Sequence, residues 1–144
     1  MRCRATSLHE LRFFGPEGQP TCIRVARACH FVARLRGLIG QAAPAAGQGL
    51  WIEPCSAVHT FGVPDRLDLA FVSARMVVQR IDAAVPPRRI RIGHGACKVL
   101  EMRAGEAARI GLRAGMRLEW AVGMGMQTAS SGVPPGRSDE TSCA

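Results

Sequence analysis

The chain is 144 residues long, enough for one domain around one hydrophobic core and too short for a second. Apolar content is 47%, and no window approaches the roughly 18 uninterrupted apolar residues that a membrane-spanning helix needs. The formal net charge of +8 raises a nucleic-acid reading through phosphate contacts, but the sequence argues against one: there is no tyrosine, and the five phenylalanines and two tryptophans are dispersed, so no stacking platform for bases is evident.

The amino terminus, MRCRATSLHELRFF, carries Arg2, Arg4, Glu10 and Arg12, which interrupt the apolar stretch of a secretory signal. A cytoplasmic location is the expectation. Cys3, Cys22, Cys29, Cys55, Cys97 and Cys143 are scattered and form no CxxC pair, so they read as reduced thiols. Residues 1–8 are expected to be a flexible arm, residues 9–122 a single globular domain, and the Gly-, Ser- and Pro-rich residues 123–144 a disordered tail.

Along the domain, LRFFGPEGQPTCIRVARA shows two short strands around a Gly, Pro and Gln turn, with Ile23 and Val25 inward and Arg24 outward. Phe31, Leu35 and Leu38 fall at helical spacing, which predicts a short helix over residues 29 to 38. QAAPAAGQG is a loop. LWIEPC, LDLAFV, MVVQRIDAAV and KVLEM then read as strands. In RRIRIG the alternation predicts Ile90 and Ile92 toward the core, with Arg89 and Arg91 in water. GEAARIGL predicts a second short helix, and MRLEW a closing strand. The fold expected from this order is α+β, a mainly antiparallel, barrel-like β-sheet with two short helices.

Three stretches in this order resemble the domain-of-unknown-function family 192 of bacteria and archaea: ARLRGLIG at 33 to 40, VHTFGVPDRLDLAF at 58 to 71, and VLEMRAGEAARIGLRAG at 99 to 115. The resemblance covers roughly residues 21 to 120. Arg34, Gly37, Leu38, His59, Thr60, Phe61, Asp68, Leu100, Glu101 and Gly105 match its pattern, whereas Ile39, Met116 and the segment from Val63 to Leu67 depart from it. The resemblance implies a compact fold of mostly antiparallel strands with two short helices, and no established reaction.

Asp68 lies within the apolar run LDLAFV, where a buried carboxylate requires a partner, and Arg34 or Arg66 are the cations in view; a structural ion pair that fixes strand register is the preferred reading of Asp68 alone, and a polar contact at a pocket floor the functional one. Polar groups converging on an apolar pocket are the usual seat of a ligand. The expected site is therefore a pocket rimmed by His59, Thr60 and Asp68, with Arg34 and Glu101 beside it, in a non-enzymatic binding or accessory module for a small-molecule or protein ligand. The alternative is a thiol- or zinc-dependent hydrolase using Cys55, His59 and Asp68, with His94 and Cys97 as further zinc ligands. Four residues of strand separate side chains by about 13 Å, so contact between Cys55 and His59 requires a turn between them. Gly93, Gly95, Gly105, Gly111 and Gly115 lack the Lys-Ser/Thr ending of a phosphate loop and form no dinucleotide signature, so no cofactor is expected.

Overall fold

The computed structural model describes residues 7–28 and 40–122. The helix expected at 29 to 38, Arg34, most of the N-terminal arm and the tail from residue 123 lie outside the described residues.

Nine strands and one short helix are described: β1 His9–Phe14, β2 Pro20–Ala28, β3 Gln48–Ile52, β4 Ala57–His59, β5 Leu67–Val72, β6 Val78–Val85, β7 Ile90–Ile92, β8 Lys98–Arg103, α1 Glu106–Ile110 and β9 Leu118–Trp120. Seven strands form one sheet in the order β6-β5-β8-β3-β2-β1-β9, and β4 with β7 makes a separate two-stranded ribbon. Every neighbouring pair is antiparallel except β2 with β3. The described residues are thus mostly strand. The expected barrel-like sheet is present as a curled half-barrel, and α1, one of the two expected helices, is only five residues long.

Curling brings the two ends of the sheet together. Val77 bridges Arg117, the Leu118 amide donates to the Met76 carbonyl at 2.7 Å, and the Val78 amide donates to the Met116 carbonyl at 2.8 Å. These bonds occupy edge groups that would otherwise stand open beside β6 and β9.

Alternation along the strands sorts side chains to two faces. Phe13, Ile23, Trp51, Ala70, Leu100 and Met102 share the main core with Ala107 and Leu112, at and beyond α1. This is the inner face. Leu67, Leu69, Phe71 and Val99 project from the outer face and pack with Val58 of the ribbon and Val63. The ribbon can approach because Gly93 has no side chain: a Cβ there would lie 2.3 Å from Phe71 Cδ1.

One expectation about faces is reversed. Ile90 and Ile92 are 61% and 51% exposed, while Arg91 turns back to Asp82 at 3.5 Å. The alternation of RRIRIG is real, but Val58 supplies the ribbon's apolar contact with the sheet, so β7 presents its isoleucines outward. No helix among the described residues is long and apolar enough to cross a membrane.

Candidate functional site

Among the described residues, those expected at the site do not come together in one pocket. Asp68 is 1% exposed and pairs in register with Met102, which places it on the inner face. Its Oδ1 accepts the Ala84 amide at 2.9 Å and its Oδ2 the Ala107 amide at 3.0 Å. Both donors need it. Between Leu67↔Val85 and Leu69↔Asp82 the β5–β6 ladder slips, which leaves Ala84, at φ 49°, without a ladder partner. Ala107 belongs to the first turn of α1, whose N-cap, Gly105, has no side chain to offer. Asp68 therefore caps a bulge and a helix at once. Neither of its described partners is an arginine; Arg66 instead donates to the Ala84 carbonyl at 3.3 Å.

Thr60 is fully buried and equally committed. Its Oγ1 donates to the Pro86 carbonyl at 2.8 Å and accepts the Arg89 amide at 2.9 Å, while its own amide donates to the Arg89 carbonyl at 2.8 Å. It fastens the end of β4 to the turn before β7. His59, its neighbour, points away from the sheet into solvent, with its ring 6.0 Å from that of Phe61.

The alternative constellation is not assembled either. Cys55 packs on the outer face and its thiol donates to the Ala57 carbonyl at 3.2 Å, whereas His59 projects outward and Asp68 lies on the inner face. Among the described residues no group of three or more His, Cys, Asp and Glu side chains is placed to hold a metal ion.

Glu101 differs from all of these. It stands mid-strand in β8, opposite Leu50 of β3 and Leu69 of β5, and so projects from the outer face. It is 3% exposed, and its Oε2 is buried with no hydrogen-bond partner. Burial among apolar neighbours pushes its carboxyl up to about 7. A carboxyl in that state is divided between neutral and ionised forms at neutral pH.

Two residues along the same face of β8 stands Arg103, about 7 Å from Glu101 by strand rise. Arg103 lines a cavity of about 480 Å³ with Ala43, Pro44, Ala45, Asp65, Arg66 and Ala104. The walls are tethered: Asp65 Oδ2 accepts the Ala43 amide at 2.9 Å, and the Ala104 amide donates to the Arg66 carbonyl at 3.2 Å. Two arginines and one aspartate thus line an open groove, and Glu101, itself buried, stands two residues before Arg103 on the same strand. Sequence reasoning named Glu101 but missed Arg103. The period of two in KVLEMR, which puts Glu101 and Arg103 on one face, was the available signal.

The family model described as "Uncharacterized ACR", the domain-of-unknown-function family 192, matches residues 14–120. The chain belongs to this family. Two solved structures share its fold. A Sinorhizobium meliloti 1021 protein, described as a candidate transcription regulator, is 21% identical with a TM-score of 0.73, covering 81% of this chain and 95% of its own. A Novosphingobium aromaticivorans DSM 12444 protein of unknown function is 22% identical with a TM-score of 0.72, covering 83% of this chain and 90% of its own. No curated protein matches the chain.

Proposed function

We propose that this member of family 192 is a non-enzymatic binding module that takes a small anion, bearing a carboxylate or phosphate group, in the groove beside Glu101. The observation that carries the reading is the buried, unpartnered Oε2 of Glu101. Leaving a buried polar atom unmet costs about 1–3 kcal/mol, and such a cost calls for a use. Arg66 and Arg103 supply the charge that attracts an anion, and Arg can hold a carboxylate or phosphate through two parallel bonds. Glu101 in its neutral form has a hydroxyl to donate, whereas an ionised carboxyl would repel the same ligand.

Asp68 and Thr60 have a supporting part. Asp68 holds α1 and the β6 bulge, and Thr60 holds the ribbon, so the sheet that presents Glu101 and Arg103 keeps its shape.

Calorimetry with inorganic phosphate and with acetate, at constant ionic strength, tests the reading. Saturable binding that weakens about tenfold or more in Arg103→Ala supports it. No saturable heat with either anion, or equal heats in wild type and a joint Arg66→Ala, Arg103→Ala variant, would count against it.

A further inference from the structure

We infer that the outward face of the β4–β7 ribbon is a docking surface for an acidic protein segment that carries apolar side chains. This surface is separate from the groove beside Glu101 and does not depend on it.

The ribbon has two unlike faces. Val58 is buried against the sheet, whereas Ala57, His59, Ile90 and Ile92 are exposed on the other side, in the register Ala57↔Ile92 and His59↔Ile90. Phe61, 46% exposed, extends the patch through its ring contact with His59. Phe61, Ile90 and Ile92 are half of the six large exposed hydrophobic residues described; the two isoleucines lie in β7 and Phe61 in the turn that follows β4. Scattered exposed apolar residues need no explanation, but a rimmed cluster marks a contact surface.

The rim is basic. Arg88 and Arg89, both exposed, occupy the turn that leads into β7, and neither has an ion pair among the described residues. That turn is fixed from beneath by Thr60, through the Arg89 amide and the Pro86 carbonyl. Preformed geometry lowers the ordering cost of binding. Arg91, by contrast, is engaged with Asp82 and belongs to the ribbon's attachment to the sheet.

The occupant follows from charge. A second copy of this chain would bring two arginine turns and two net charges of +8 together, which is repulsive. A segment with carboxylates at its flank and branched aliphatic residues at its centre meets both parts of the surface, the carboxylates at Arg88 and Arg89 and the aliphatic groups at Ile90, Ile92 and Phe61. β4 and β7 pair only with each other among the described residues, so an extended segment can also align with the ribbon.

The probe is a fluorescent peptide alternating valine and glutamate, compared with its lysine counterpart and with a single-stranded oligonucleotide, against wild type, a joint Ile90→Ser, Ile92→Ser variant and a joint Arg88→Ser, Arg89→Ser variant. All four positions are exposed or partly so, and both variants should keep the wild-type circular dichroism spectrum and melting temperature. The expected result is binding of the glutamate peptide alone, weakened about tenfold in each variant. Binding that survives the isoleucine substitutions would show charge attraction without this surface and overturn the proposal. So would oligonucleotide binding lost on the same substitutions, or a wild-type dimer in sedimentation that the isoleucine substitutions dissociate.

Discussion

Asp68 and Glu101 stand on adjacent strands, one register step apart, and both side chains are almost fully buried. Asp68 points inward and meets two backbone amides left over by a bulge and a helix start. Glu101 points outward and leaves an oxygen with nothing to accept. The two regions show that burial of a carboxyl does not by itself mark a site. What separates them is whether the fold consumes the group's hydrogen-bonding capacity.

The largest effect should come from breaking the satisfied member. Asp68→Ala leaves the Ala84 and Ala107 amides without their carboxylate, at about 1–3 kcal/mol each, so a loss of about 2–6 kcal/mol in urea unfolding is expected. A loss below about 1 kcal/mol would mean that water or a backbone shift replaces the carboxylate.

Next in size is the response of the unsatisfied member to pH. The folded-state value for Glu101 is raised from 4.5 to about 7, so its neutral form is favoured by folding. Stability associated with it is fully present below about 4.5 and is lost as pH rises toward about 7. The difference amounts to about 3 kcal/mol, because each tenfold change in proton affinity between the unfolded and folded chain corresponds to about 1.4 kcal/mol. Glu101→Gln cannot ionise, so its stability relative to wild type should rise across that window and then level off. Parallel stability curves for the two proteins would remove the distinction between Glu101 and Asp68.

Thr60 and His59 repeat the comparison on a smaller scale. Thr60→Val keeps the shape but deletes the hydroxyl that serves Pro86 and Arg89, at about 1–2 kcal/mol in thermal unfolding. His59→Ala removes an exposed ring and should change stability by no more than about 0.5 kcal/mol.

Much of the scaffold is readable from local pattern. The hairpin around Gly15 and Gly18, the buried run LDLAFV and the short helix at GEAARI each follow from turn residues and periodicity, and each is present. Orientation is less readable. Alternation in RRIRIG specifies two faces without specifying which one meets the sheet, and Val58, remote in sequence, decides that Ile90 and Ile92 face outward. The need of Asp68 for partners was visible, but the partners are amides orphaned by a ladder slip and a glycine cap, which side-chain chemistry does not announce. His59 lies on the ribbon's solvent face and Asp68 on the inner face of the sheet, a separation set by tertiary packing that their nearness in sequence does not convey. Glu101 was named through its family pattern, while the groove beside it depends on loop 43–45 meeting residues 65, 66, 103 and 104, a tertiary contact with no local signature.

The most direct measurement is a carbon-13 NMR titration of the Glu101 side-chain carboxyl, assigned by comparison with Glu101→Gln. A midpoint near 7 is the result expected of a carboxyl buried on the apolar face that Leu69 and Val99 share, with an oxygen unmet. A midpoint near 4.5 would show a carboxyl already satisfied in the free protein and would contradict the assignment of the binding site to its side of the sheet.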